Sequence, residues 1–167
     1  MVQSVVGSLD AIAVKAETMT GLKRCYSATG GGISSAIRPV PRSIDDGPVG
    51  IVWMGNATVE GGNFEHLIVD IVLDIWVPAA DPGYAYQTIA VFCDLARTAF
   101  RTDMSLGGQC TRCQFAGWSE LENENVGGRE WLVLPIQLPT LITRNAADAT
   151  SGDTNPYDSG FTAGFGA

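Results

Sequence analysis

Residues 65–77 read Glu65-His66-Leu67-Ile68-Val69-Asp70-Ile71-Val72-Leu73-Asp74-Ile75-Trp76-Val77. Successive side chains of an extended strand point to opposite faces. Leu67, Val69, Ile71, Leu73, Ile75 and Val77 share one face, and all six are apolar. His66, Ile68, Asp70, Val72, Asp74 and Trp76 share the other, which is mixed. This pattern predicts a strand with one face on the core and one face partly in solvent. Pro78 and the turn-forming Asp81-Pro82-Gly83 close it.

The flanking segments carry a different period. Upstream, Val5, Leu9, Ile12, Ala16 and Met19 recur at steps of four and three, which places them on one stripe of a helix. Gly21 is a natural stop for that helix. Downstream, residues 84–101 read as a second helix with Ala85, Ile89, Phe92, Ala96 and Ala99 on its buried stripe. Between the first helix and the long strand, residues 27–48 hold Gly30-Gly31-Gly32, Pro39, Pro41 and Gly47-Pro48 and keep no period. They read as a long loop, a kind that is usually functional or mobile. A short strand is expected at 50–54, followed by the turn Glu60-Gly61-Gly62-Asn63. Further strands are expected at 109–118 and 130–143, joined by a loop rich in Glu and Asn that ends at Gly127-Gly128. Residues 145–167 change to Ala, Asp, Thr, Ser and Gly with three spaced aromatics, Tyr157, Phe161 and Phe165. That composition predicts a flexible C-terminal tail, with an extended docking arm as the other reading. The whole is expected to be one α+β domain, residues 1–144. A mainly antiparallel sheet of about four strands carries two main helices on one face.

Pro135 and Pro139 share parity within the last strand, so both missing N–H donors fall on one side. This places the strand at the sheet edge or beside an interruption in pairing. The donor-complete side should then pair inward, with the 109–118 strand.

Composition excludes several function classes. The 167 residues carry a formal net charge of −8, with no run of Lys or Arg. A sequence-independent nucleic-acid binder needs a basic surface that displaces counterions. No secretory leader is visible, and the most apolar stretch is interrupted by Asp70 and Asp74, so a chain folded in a cytoplasm is expected. Its four cysteines are then expected to be reduced.

Residue clusters that carry chemistry are few. Cys110-Thr111-Arg112-Cys113 has metal-ligand spacing, but a structural zinc site needs about four ligands and no second pair exists. On a strand, positions three apart would also point to opposite faces. His66, Asp70 and Asp74 share one strand face, but carboxylates four residues apart on a strand are about 13 Å apart. Working glycosidase pairs are about 5–9.5 Å apart. Gly30-Gly31-Gly32 lacks the lysine and trailing Ser or Thr of a phosphate loop. No catalytic, cofactor-binding or metal-binding residues are therefore assigned, and no cofactor is expected.

One resemblance goes further. The N-terminal helix, the long loop, the strand Glu65-His66-Leu67-Ile68-Val69-Asp70-Ile71-Val72 and the helix ending Ala99-Phe100-Arg101-Thr102-Asp103-Met104-Ser105-Leu106-Gly107-Gly108 follow one another in order, and two strands close the sheet. This resembles the tail terminator proteins of long-tailed bacteriophages, over roughly residues 5–144. The resemblance implies a non-enzymatic structural subunit of a ring, commonly a hexamer, seated on the tail tube. Its partners would be further copies of itself, the tail tube protein and the head-closure or connector protein. DNA would pass through the lumen without specific binding, and no membrane would be involved. Its location would be the virion tail or neck, after synthesis in the host bacterial cytoplasm. The long loop and the residues after Arg144 depart from a minimal member of that family. The alternatives are a head-closure or other neck connector protein, or a small ligand-binding or enzymatic domain with a pocket under the glycine-rich loop.

Overall fold

A computed structural model describes residues 2–28, 47–59, 66–102 and 104–143. In chain order the elements are α1 (Val5–Ala16), β1 (Arg24–Ser27), β2 (Val49–Val59), β3 (His66–Pro78), α2 (Pro82–Thr102), β4 (Arg112–Cys113), β5 (Gly117–Trp118), β6 (Glu122–Val126) and β7 (Arg129–Thr143). The Gly30-Gly31-Gly32 stretch, most of the long loop, the Glu60–Asn63 turn and the tail at 145–167 lie outside the described residues.

The expected sheet of about four mainly antiparallel strands is corrected. Seven strands form one mixed sheet, strongly curled into a half-barrel. Its path is β1-β2-β3-β7-β4, with β5 and β6 also paired to β7. β1 runs parallel to β2, and every other pairing is antiparallel.

The long strand anchors this arrangement. β3 pairs with β2 on one side and over its whole length with β7 on the other, from His66↔Thr143 to Pro78↔Trp131. Its apolar parity faces the helices. Val69, Ile71, Leu73, Ile75 and Val77 share a core with Leu134, Ile136, Leu138 and Ile142 of β7. Both helices bury their stripes in that core: Leu9, Ile12, Ala13 and Ala16 from α1, and Ala85, Ile89, Phe92, Ala96 and Phe100 from α2. Phe100 takes the last buried place, where Ala99 was expected. α1 starts at Ser4, whose hydroxyl accepts from Gly7 N at 3.0 Å. α2 starts after Asp81, whose carboxylate accepts from Gly83 N at 3.1 Å and Tyr84 N at 3.2 Å. Pro82 fits the first helical turn because its absent N–H would have no partner there.

The opposite face of β3 is partly exposed, as its mixed parity predicts: His66 and Asp70 are exposed and Ile68 is half-buried, while Val72, Asp74 and Trp76 are covered. Because the sheet curls, Trp76, Trp131, Val49, Ile51 and Val133 close into a second buried cluster. The two indoles meet edge to face, with centroids 6.3 Å apart. Asp74 is fully buried beside them, and its Oδ2 accepts from Trp53 Nε1 at 2.8 Å.

β7 is not an edge strand; the prolines lie in the middle of the sheet. Their carbonyls accept from Ser119 N and Gln114 N, so the 135 and 139 backbone groups face the β4–β6 side. On that side pairing is broken into three short strands, and the breaks fall opposite Pro139 and Pro135. The donor-complete side pairs with β3, not with the 109–118 segment. The expected interruption is present, and the expected neighbours are exchanged.

Candidate functional site

The clusters singled out by sequence do not converge. His66 Nδ1 lies 3.4 Å from Thr143 Oγ1 at one end of β3, Asp70 is exposed, and Asp74 holds the Trp53 indole further along. Cys110 and Cys113 are both buried in the helix-side core, not on opposite faces. Cys110 precedes β4 in a turned segment, so strand alternation does not separate the two. The Cys110 thiol donates to the Ser105 carbonyl at 3.5 Å. No disulfide joins any of the four cysteines. Among the described residues no group of three or more His, Cys, Asp or Glu is placed to hold a metal ion.

The surface carries more information. α2 is 21 residues long and buries only one stripe. Tyr86, Ala90, Cys93, Arg97 and Arg101 follow each other at steps of four and three, so they form one flank of the helix. That flank faces the segment that runs from β4 through β5. Arg97, Phe100, Arg101 and Met104 meet Gln114 and Phe115 across a depression of about 460 Å³. Tyr86, Ile89, Ala90, Cys93 and Asp94 meet Trp118 and Leu121 across a second depression of about 310 Å³. The Phe115 ring of the first and the Trp118 ring of the second stand 6.3 Å apart. Gly117, at φ 110, makes the bend that places Trp118 on this wall. A side chain with a Cβ adopts that backbone conformation only under strain. Trp118 is 51 % exposed, although it is among the largest apolar side chains of the chain.

The two depressions differ in charge. Arg97 and Arg101 line the first, and Arg97 makes a loose ion pair with Asp94, which lines the second, at 3.7 Å. In the second, the Cys93 thiol is pushed above its ordinary value by burial first and by Asp94 second.

Other large apolar side chains are exposed on three elements: Val6 and Val14 on α1, Tyr84 and Val91 on α2, and Met54 and Val59 on β2. Exposed apolar residues scattered singly are ordinary, and it is contiguous patches that mark docking surfaces. Helix period alone would have located Tyr84 and Val91. The Phe115–Trp118 wall was hidden by reading 109–118 as one strand.

The polar end of the half-barrel forms a shallow hollow of about 330 Å³, lined by Trp53, Asp70, Val72, Ser119, Glu122 and Gln137. A cavity of about 650 Å³ lies between Gly47-Pro48, Pro78, Tyr84 and Arg129-Glu130. No family model matches this chain, and no curated protein matches it. Among the described residues no helix is long and apolar enough to cross a membrane.

Proposed function

We propose that this chain is a structural ring subunit, the tail terminator of a long-tailed bacteriophage, which caps the tail tube and joins it to the head connector. The observation that supports the assembly part of this reading is the exposure of large apolar side chains on three separate elements. Val6 and Val14 lie on α1, Tyr84 and Val91 on α2, and Met54 and Val59 on the β2 arm. Two unlike patches that meet head to tail generate a closed ring when the rotation closes. The acidic balance supports a lumen that DNA crosses without sticking, since like charge repels the phosphate backbone. The phage assignment rests on the element order from α1 to Gly107-Gly108 described above.

The test is assembly. Electron micrographs and light scattering of the purified chain, alone and with tail tubes, should show rings, six-fold in the expected case, at tube ends. Val91→Glu should abolish ring formation while leaving the circular dichroism spectrum unchanged. Tubes that keep growing in the presence of the intact chain would sink the reading. Binding to the head connector in preference to the tube would support a head-closure protein instead. The cavity beside Gly47-Pro48 favours a second reading, a small ligand-binding domain, for which a stable monomer that retains a metabolite would be the mark.

A further inference from the structure

Four polar side chains meet at one corner of the sheet, where the starts of β3 and β4 lie beside the end of β7. Gln3 reaches this corner from before α1. Thr143 N lies 2.8 Å from Gln3 Oε1, and Thr111 Oγ1 lies 2.9 Å from the same oxygen. The Thr111 and Thr143 hydroxyl oxygens are 2.7 Å apart. His66 pairs with Thr143 across the β3–β7 ladder, and its Nδ1 lies 3.4 Å from Thr143 Oγ1.

Proton count sets the direction of each bond. A backbone N–H only donates, so the atom of the Gln3 amide that faces Thr143 N is the oxygen. That oxygen only accepts, so the Thr111 hydroxyl gives it its single proton. Thr111 then has only lone pairs to offer Thr143, and the Thr143 hydroxyl must donate to it. With that proton committed, Thr143 Oγ1 meets His66 as an acceptor, and Nδ1 must carry a hydrogen. In the neutral ring Nε2 is left with a lone pair, since the bond made by one ring nitrogen decides the state of the other. Among the described residues only Nδ1 of this exposed ring is engaged.

We infer that Gln3, Thr111 and Thr143 form a one-way relay that sets the tautomer of His66. The ring presents an acceptor on Nε2 while Gln3 is engaged and a donor when Gln3 leaves. Without Gln3 the Thr111 proton turns to Thr143 and the Thr143 proton turns to Nδ1. The ring then gives the Nδ1 hydrogen to water and takes one from water at Nε2, with no net change in charge. The position of the segment before α1 is thereby written on the outward nitrogen of a residue that Gln3 does not touch. A surface that docks at the start of β3 through a carbonyl or an N–H tells the two states apart, because the mismatched pairing leaves a polar group unsatisfied. The relay belongs to the single chain and does not depend on assembly.

His66 is the only histidine of the chain, so its ring gives a single pair of nitrogen signals. Long-range proton–nitrogen correlation NMR of the full chain at about pH 8.5, where an imidazole is neutral, reads the tautomer, because protonated and bare ring nitrogens resonate far apart. The unaltered chain should carry the hydrogen on Nδ1, against the preference of free imidazole in water for Nε2. Gln3→Ala and Thr111→Val, at positions that do not contact the ring, should each move it to Nε2. Gln3→Glu keeps an acceptor oxygen for Thr111 and Thr143 N and should leave it on Nδ1. Backbone amide signals away from this corner should stay in place in every variant, which shows that the fold is intact. A hydrogen on Nε2 in the unaltered chain would overturn the inference. So would a tautomer that ignores both Gln3→Ala and Thr111→Val, or one that Gln3→Glu reverses.

Discussion

Cys25 shows how a single buried thiol makes the fold sensitive to alkali. It sits in the helix-side core, and its backbone N donates to Glu17 Oε1 at 3.1 Å. Burial first, and the Glu17 carboxylate second, push the thiol well above its ordinary range. In the unfolded chain a cysteine gives up its proton near pH 8.5, whereas the folded chain keeps this one. Above that pH the unfolded state therefore binds fewer protons, and stability falls as pH rises. The contribution is complete below about pH 8.5 and is lost progressively above it. Cys25→Ala should cost about 1–2 kcal/mol at pH 7. Its deficit should then shrink above pH 8.5 by up to about 1.4 kcal/mol per pH unit. Urea unfolding of both proteins from pH 7 to 10 measures this, and parallel stability curves would show that Cys25 ionises equally in both states.

Individual elements differ in how far they could be read from sequence. β3 and both helices were legible because their apolar residues follow the period of the element, and the buried sets at Ile71, Leu73 and Ile75 and at Ala85, Ile89 and Phe92 follow from it. β6 was not legible. Glu122-Asn123-Glu124-Asn125 is polar on both faces, and it is a strand because Gly127 and Gly128, both at positive φ, fold it back onto β7. β1 is equally silent in sequence, since only its parallel pairing to β2 defines it. The prolines of β7 were read correctly for the side on which donors are missing. Of the two places that side allowed, an edge or an interruption in pairing, the interruption is the one present, and only the neighbours are exchanged. Of the two depressions beside α2, the helix flank follows from helix spacing, while the facing wall depends on tertiary contacts at Phe115 and Trp118. The start of α2 is testable on its own. Asp81→Ala removes the acceptor for Gly83 N and Tyr84 N and should cost about 1 kcal/mol in urea unfolding. Asp81→Ser should recover most of it, and equal losses for Ala and Ser would assign the effect to something other than the cap.

At the scale of the whole molecule, charge opposes the association that the exposed apolar groups favour. Each copy carries a formal net charge of −8, so neighbouring copies repel. Raising ionic strength from about 0.1 to 1 M shortens the screening length from about 10 to 3 Å. The assembled fraction, measured by sedimentation, should therefore rise with salt; rings that dissolve in salt would mean that ion pairs, not apolar contacts, hold them. Gln3 adds a different consequence. Its side-chain oxygen accepts from Thr143 N at 2.8 Å and from the Thr111 hydroxyl at 2.9 Å, which holds Gln3 against the end of β7. Cargo fused before residue 2 and cargo fused after residue 143 would leave from one corner and share one side of the molecule. The same closeness makes the chain a candidate for circular permutation. A linker across that corner, with the backbone reopened at Gly127-Gly128, preserves the β3–β7 ladder and moves the attachment point to the far end of β7.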